Sequence, residues 1–205
     1  YRISVRRFWR QKKRILMLKA EPTLVLDLTI NSSHERSRST HSIKFYYTFP
    51  ARMRREGNLK TIEMIRAYKN TDLESILTIW YESQTLAHPF LSKEFVDKVK
   101  VMMKDLFIPN SKTWVYEVDG EVIGFIAMMN NEIGGLFVDP NKQSKGIGTL
   151  LVNFVKPKYD NLEVEVFKNN VIGTSFYRKY GFEFMRSYLH EETGEIVNRL
   201  ETKKQ

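Results

Sequence analysis

The 205-residue chain has no cysteine. A disulfide scaffold, a cysteine-ligated zinc site and a cysteine nucleophile are therefore excluded. Its four histidines occur in no HxxxH or HExxH spacing, so we expect no metal site. The sequence also lacks a run of about 18 consecutive apolar residues, so we expect no membrane-spanning segment.

Acidic residues are scarce in only one part of the chain. Hydrophobic residues make up 42% and charged residues 28% of the sequence, a balance typical of a soluble globular protein. Residues 1–63 contain 15 Lys and Arg against 5 Asp and Glu, whereas residues 64–205 contain 18 against 19. We therefore predict a basic, poorly ordered N-terminal extension over 1–63 and a folded domain over 64–205.

The basic extension allows two interpretations. Residues 31–42 are polar, rich in Ser, Arg and His, and show no hydrophobic period, which is typical of a loop or a disordered segment. The extension could be an arm that attracts RNA, DNA or anionic lipid through counterion release. It could also be a poorly folded leader without activity. Nucleic-acid binding is expected only through residues 1–63.

Hydrophobic periodicity beyond residue 61 predicts alternating strands and helices. The first helix begins at Thr71, whose side chain and Glu74 have the spacing of a capping box. The second helix begins at Ser92, a residue type that caps helices. The whole predicted order is strand 62–69, these two helices, strands 114–118, 122–129 and 133–138, helix 148–155, strand 162–167, helix 173–180, and strands 182–189 and 196–200. This order predicts a mixed α/β sheet covered by helices.

A glycine-containing loop, Gln143–Gly148, lies between a predicted strand and a predicted helix. Glycine lets the backbone approach a ligand closely, and the free N–H groups of a helix N-terminus favour a phosphate. The dinucleotide fingerprint fails because Leu151 stands where its third glycine belongs, and the Walker loop fails because Thr149 follows Gly148. The remaining pattern, Q-x-x-G-x-G, suits a pyrophosphate held by main-chain amides. The alternative is a glycine-rich turn without a ligand.

Together with other segments, this motif resembles the GNAT superfamily of acetyl-CoA-dependent N-acetyltransferases. The motif follows a strand ending in Phe137-Val138-Asp139-Pro140, and the sequence F-Y-R-K-Y-G-F follows Asn170 at residues 176–182. The likeness covers about residues 62–202 and is strongest to small bacterial single-domain members, including the segment 85–91. It implies a GNAT-like mixed, mostly antiparallel sheet of about six to seven strands flanked by about four helices.

The resemblance also implies which residues bind acetyl-CoA, the expected co-substrate. Backbone groups of Phe137 and Val138 are expected to hold the pantetheine arm, with Asn170 nearby. Where the family often has alanine after this asparagine, the present chain has Gly173. The main-chain amides expected to bind the pyrophosphate belong to Gln143, Ser144, Lys145, Gly146, Ile147, Gly148 and Thr149.

Two residues match the family's catalytic positions. Tyr177 matches a tyrosine proposed as the general acid, and a hydroxyl with a pKa of about 10 can donate a proton to a departing thiolate. Glu132 matches a glutamate that some members use as the base. His88 could line the acceptor pocket or act as a base. A loop histidine beside a proline is more often structural, so His88 is not among the candidate site residues.

The resemblance implies transfer of an acetyl group from acetyl-CoA to a primary amine, by direct attack in a ternary complex. The acceptor is expected to be a small-molecule or peptide amine. The alternatives are an RNA-associated, toxin-type acetyltransferase that modifies an aminoacyl-tRNA amine, and a non-catalytic CoA-binding sensor. We expect a cytoplasmic monomer or homodimer without a membrane partner, since no export signal occurs and acetyl-CoA is found there.

Overall fold

The computed structural model describes residues 49–56 and 59–203, which contain one mixed sheet and four α-helices. The strands are β1 (Phe49–Glu56), β2 (Leu59–Ala67), β3 (Lys112–Val118), β4 (Glu121–Met129), β5 (Glu132–Val138), β6 (Glu163–Phe167), β7 (Phe182–Leu189) and β8 (Ile196–Thr202). The α-helices are α1 (Leu73–Ala87), α2 (Lys93–Met102), α3 (Ile147–Val155) and α4 (Val171–Tyr180). None of the helices in these two ranges is both long and apolar enough to cross a bilayer.

The eight strands follow the order β1-β2-β3-β4-β5-β6-β8-β7. All neighbouring strands are antiparallel except β5 and β6, which are parallel. This arrangement confirms the expected mixed, mostly antiparallel sheet with four helices. Strands β2 to β8 account for the predicted strands, and β1 is an additional edge strand that periodicity did not predict.

The N-terminal boundary of the sheet lies upstream of residue 64. Strand β2 runs across the predicted boundary between residues 63 and 64, and β1 pairs with it from Phe49 to Glu56. Residues 1–48, on which most expectations for the basic extension fall, lie outside the described residues. The functional division of the chain therefore stays a prediction.

Helices cover both faces of the sheet. Against one face, α1 and α2 pack a core that includes Ile76, Trp80 and Phe125. Against the other face, α3 and α4 pack a core that includes Ile133 and Leu151. Successive side chains of a strand point to opposite faces of the sheet. Once one side chain is known to lie in either core, the face of the next side chain follows.

Helix α1 begins differently from the prediction. Ser92 caps α2 as expected, since its hydroxyl accepts a hydrogen bond from the Phe95 amide at 3.2 Å. Ahead of α1, however, a short 3-10 turn occupies residues 70–72, and the Asp72 carboxylate accepts from the Lys69 amide at 2.8 Å. The capping box predicted from Thr71 is therefore wrong: the Asp72 side chain closes the 3-10 turn ahead of α1, and α1 itself has no side-chain cap.

Candidate active site

An opening between β5 and β6 is the central feature of the sheet. These parallel strands pair only at Glu132 with Glu163 and at Ile133 with Val164. Opposite β4, Ile133 and Gly135 face Met128 and Ala127, which leaves Gly134 as an extra, bulged residue. Beyond the bulge, β5 and β6 separate, so the β6-facing edge of β5 is not used by the sheet.

The register of β5 decides which main-chain groups face this opening. The Asp139 amide donates to the Ile123 carbonyl at 2.9 Å. Asp139 and Ile123 therefore form a hydrogen-bonded pair. Hydrogen-bonded and non-hydrogen-bonded pairs alternate along two antiparallel strands, so Phe137, two residues earlier, also exchanges its main-chain hydrogen bonds with Phe125 of β4. The expectation for the main chain of Phe137 therefore needs a correction: Leu136 and Val138 face the opening instead. Any contact of pantetheine with the Phe137 side chain stays a prediction.

Val138 connects the opening to α1 and to the following loop. Its carbonyl accepts from the Ser83 hydroxyl at 2.8 Å and from the Gln143 side-chain amide at 3.1 Å. Gln143 therefore contributes a side chain that holds the loop against the end of β5. The Val138 N–H points to the same edge of the strand, where it can meet a ligand.

The loop from Gln143 to Gly146 has the backbone of an anion-binding turn. Ser144 and Gly146 both have positive φ angles, 61° and 84°, and Gly146 is the N-terminal flanking residue of α3. Alternation of right-handed and left-handed residues turns successive N–H groups toward one concave side. Ser144, Lys145 and Thr149 are exposed, so this side is open to a ligand.

The amides of this turn remain available. The Leu150 amide donates to the Gly146 carbonyl at 3.0 Å. The three preceding amides of α3, those of Ile147, Gly148 and Thr149, have no carbonyl one turn earlier in the helix. In the part of the chain that the structure describes, no acceptor outside α3 engages the amides from residue 144 to 149. A phosphate can therefore bind them, assisted by the helix dipole.

Two residues of the motif also serve packing. The Ile147 side chain is buried in the core beside α3, so only its amide is left for a ligand. A Cβ atom on Gly148 would lie 3.3 Å from the Phe176 ring of α4. Glycine at this position therefore permits the close approach of α3 and α4, a role that the sequence motif did not reveal.

Asn170 precedes α4 on the β6 side of the opening. Its side-chain oxygen accepts from the Gly173 amide at 2.8 Å and caps the helix. Its Nδ2 atom lies 2.9 Å from Nε2 of His88. Asn170 is buried, and one hydrogen of Nδ2 is left for a ligand. Its predicted role near pantetheine stays a prediction.

Tyr177 of α4 lies among aromatic side chains. Its ring centroid is 5.2 Å from those of both Phe176 and Phe182, and the residue is 7% exposed. Burial raises the pKa of the Tyr177 hydroxyl above its usual value. The hydroxyl therefore remains protonated at neutral pH, which is the state that a proton donor needs.

Glu132 is buried at the start of β5, within a cluster of charged side chains. Arg199 of β8 donates to Glu132 at 3.2 Å and to Glu165 at 2.7 Å, and it also bonds Glu163. The Tyr188 hydroxyl donates to Glu165 at 2.6 Å. Three carboxylates thus converge on one guanidinium.

This environment changes the acidity of Glu132. Burial, and then the negative charge of Glu165, raises the pKa of Glu132 to about 7, while Arg199 acts in the opposite direction. Glu163 and Glu165 already bring two negative charges to the single positive charge of Arg199, so a third negative charge on Glu132 is disfavoured. A carboxyl with this pKa can accept and release a proton near neutral pH.

The two catalytic candidates approach the opening from different faces. Ile133 packs on the side of α3 and α4, so the Glu132 side chain points to the face that carries α1 and α2. Tyr177 belongs to the core on the side of α3 and α4. The structure therefore does not bring Glu132 and Tyr177 into contact. The opening between β5 and β6 is where groups from both faces can meet one substrate.

Family and sequence comparisons agree with this geometry. Residues 109–184 match the model of the acetyltransferase (GNAT) domain. The Escherichia coli peptidyl-lysine N-acetyltransferase YiaC is 31% identical over 131 residues, which are 63% of this chain and 90% of YiaC. The peptidyl-lysine N-acetyltransferase YjaB of Salmonella typhimurium is 30% identical over 120 residues, 58% of this chain and 82% of YjaB.

Solved structures share the fold. The solution structure of apo YjaB from Escherichia coli superposes with a TM-score of 0.64 at 23% identity, over 70% of this chain and 99% of YjaB. PaiA N-acetyltransferase from Thermoplasma acidophilum, in complex with coenzyme A, gives a TM-score of 0.53 at 22% identity, over 70% of this chain and 99% of PaiA. The divided sheet and the turn before α3 agree with these sequence relatives. The chain belongs to the GNAT superfamily and is an N-acetyltransferase.

Proposed function

We propose that this N-acetyltransferase transfers the acetyl group of acetyl-CoA to a lysine side chain of a peptide or protein, by direct attack in a ternary complex. Acetyl-CoA is the acetyl donor of the GNAT fold. Two relatives at 30% identity or more are named peptidyl-lysine N-acetyltransferases. The observation that carries the proposal is the turn before α3, whose free amides adjoin the opening of the sheet.

The donor site is proposed along the turn and the opening. The amides from Gln143 to Thr149 bind the pyrophosphate, since those of residues 144 to 149 have no acceptor outside α3 and lie at a helix N-terminus. The pantetheine arm extends into the opening, where the main-chain groups of Leu136 and Val138 lack a strand partner. These contacts supply orientation, which lowers the barrier of a reaction between two substrates.

The acceptor site is proposed on the face that carries Glu132. A lysine ammonium has a pKa of about 10.4 and must lose a proton before its nitrogen can attack. Glu132, with a pKa of about 7, takes this proton directly or through one water. The excess of carboxylates over guanidinium in this cluster favours a cationic side chain.

Tyr177 is proposed to complete the reaction from the other face. The nitrogen forms a new bond to the acetyl carbon, the carbon–sulfur bond breaks, and the nitrogen releases its second proton to water. The sulfur leaves as a thiolate, which resembles a thiol with a pKa of about 8.5. The protonated Tyr177 hydroxyl donates to this thiolate and regains a proton from water, so no metal and no protein nucleophile takes part.

The test combines binding and product analysis on the full chain. Isothermal titration is expected to show saturable binding of acetyl-CoA. Mass spectrometry is expected to show a peptide heavier by one acetyl group, at lysine and not at a lysine-free control peptide. Absence of acetyl-CoA binding would refute the proposal. Binding without acetylation across a pooled amine library would indicate a CoA sensor instead, and acetylation of small amines alone would refute the peptide acceptor.

A further inference from the structure

His88 directly follows α1, and its side chain contacts that of Asn170, which precedes α4 beside the opening of the sheet. The two residues are 82 positions apart, and Nε2 of His88 lies 2.9 Å from Nδ2 of Asn170. His88 is 9% exposed and Asn170 is 8% exposed. Sequence alone did not pair them, since nothing local connects the loop after α1 with the start of α4.

Hydrogen-bond chemistry fixes the orientation of both side chains. The Gly173 amide is only a donor, and it lies 2.8 Å from Oδ1 of Asn170. The oxygen of Asn170 must therefore face Gly173, and its NH2 group must face His88. Nε2 of His88 then accepts this hydrogen bond, so the imidazole proton resides on Nδ1.

The surroundings keep His88 in this neutral form. Its ring makes edge contacts with Phe90 and Phe167, at centroid distances of 5.7 and 5.4 Å. Burial lowers the pKa of His88 to about 4, against a smaller opposite effect of the Gln84 backbone. Protonation would place a second donor opposite Nδ2 of Asn170 and break the contact.

The incomplete hydrogen bonding of the buried His88 ring points to a function. Nδ1 of His88 is buried and makes no hydrogen bond of normal geometry in the part of the chain described by the structure, and its interaction with the Gln84 backbone is a weaker one. Buried polar atoms in proteins are nearly always paired, and an exception calls for an explanation. The well-formed hydrogen bond of the imidazole is therefore the one from Asn170 at Nε2.

We propose that His88 is a positioning residue for the acetyl donor: its Nε2 atom holds the Asn170 amide so that the second hydrogen of Nδ2 is presented to a carbonyl of the pantetheine arm. This inference rests on the proposed function. Asn170 has the right location, because it follows β6 at the opening and stands at the start of α4. Without His88, the Asn170 amide keeps only its bond to Gly173 and loses its fixed direction.

The test uses four variants of the full chain: His88→Phe, His88→Gln, Asn170→Ala and the double variant H88F/N170A. H88F keeps an aromatic ring beside Phe90 but removes the acceptor. It is expected to raise the Kd for CoA and the KM for acetyl-CoA roughly five- to tenfold, the effect of one lost hydrogen bond, with a smaller change in kcat. H88Q restores an acceptor and is expected to recover most of the affinity.

The double variant separates positioning from mere packing. If His88 acts through Asn170, H88F adds nothing to the Kd in the N170A background. His190→Phe is the matched control, because His190 also contacts Phe167, at 5.6 Å; it is expected to leave the Kd for CoA unchanged. Melting temperatures of all variants report any loss of stability separately.

Several results would overturn this inference. An unchanged Kd in H88F, or additive effects of H88F and N170A, would refute it while leaving the proposed function intact. Nitrogen-15 shifts of the imidazole that place the proton on Nε2 would also refute it. If the wild-type chain fails to bind CoA, the proposed function and the positioning role both fail.

Discussion

Tyr177 is the residue whose substitution tests the acid step. Tyr177→Phe retains the ring between Phe176 and Phe182 and removes only the hydroxyl. Since a positioned proton donor typically contributes about 10²–10⁴-fold, we expect kcat to fall by about that range with little change in the Kd for acetyl-CoA. Tyr180→Phe is the matched control, because the Tyr180 hydroxyl on the same helix bonds Asn153 at 2.7 Å. Equal rates for Y177F and the wild type would remove Tyr177 from the mechanism.

Glu132 predicts a pH dependence in the neutral range. A base accepts a proton only when it is ionised, and the pKa of Glu132 is about 7. The rate at low acceptor concentration, kcat/KM for the peptide, is therefore expected to rise tenfold per pH unit below about 7 and to bend there. Because Glu132 takes its proton from the lysine ammonium, the rate is expected to level off between about pH 7 and the lysine pKa of about 10.4.

Glu132→Gln provides the comparison for this profile. The variant keeps the size of the side chain and is expected to lose the bend near pH 7 and about 10²–10⁴-fold in rate. Glu195→Gln is a control at the hairpin between β7 and β8, where Glu195 bonds Asn169. A bend near pH 7 that persists in E132Q would assign the titration to another group.

The role of Glu132 was predicted from the sequence, but its environment was not. From sequence alone, a glutamate at the start of a strand is expected to be a solvent-exposed carboxylate. Its burial depends on Arg199, which lies 67 residues further along the chain. Local patterns do not report such a pairing, so the raised pKa of Glu132 follows only from the folded structure.

At the scale of elements, Gly173 in α4 gives a prediction in which helix propensity and geometry oppose each other. Alanine favours a helix over glycine by about 1 kcal/mol. At Gly173, however, a Cβ atom would lie 2.7 Å from Nδ2 of Asn170, so the Asn170 amide has to move. We expect Gly173→Ala to weaken acetyl-CoA binding several-fold in titration calorimetry. Ser175→Ala, in the same helix, is expected to leave it unchanged, and unaltered affinity in G173A would contradict the account.

The start of α1 gives a prediction about stability. Arg66 of β2 bonds Asp72 at 2.7 Å and Glu117 of β3 at 2.6 Å, and these side chains are only 7–16% exposed. Asp72→Ala leaves a buried guanidinium with one partner fewer and frees the Lys69 amide. We expect a loss of about 3 kcal/mol in the free energy of unfolding, measured by chemical denaturation.

An exposed ion pair is the control for Asp72. Lys93 and Asp97 of α2 form a contact at 2.5 Å with side chains 76% and 48% exposed. Asp97→Ala is expected to change the free energy of unfolding by less than about 0.5 kcal/mol. Similar losses for D72A and D97A would show that burial is not the cause.

Sequence patterns predicted the start of a helix correctly where the residues that determine it are close together in the chain. Ser92 was identified as a cap because its partner, Phe95, is three residues away. The start of α1 was missed because Asp72 is held by Arg66 from a neighbouring strand. The orientation of the Phe137 main chain was missed because the expectation named two successive residues, whose N–H and C=O groups point to opposite edges of a strand. Only the register of β5 with β4 shows which edge each residue faces.

At the scale of the whole molecule, the order of elements was enough to predict the fold class. Strands β2 to β8 and the four helices follow the hydrophobic period of the sequence. Strand β1 was missed because its sequence, FPARMRRE, is basic and does not alternate. The contact between His88 and Asn170 was also missed, since it forms only when the loop after α1 and the start of α4 meet at the sheet opening.

The central claim is that the turn before α3 and the opening beside it bind acetyl-CoA. A crystal structure of the full chain with acetyl-CoA tests this directly. The account predicts pyrophosphate oxygens within hydrogen-bonding distance of the amides from residue 144 to 149, and the pantetheine arm between β5 and β6. A donor bound elsewhere, with those amides contacting no phosphate, would contradict it.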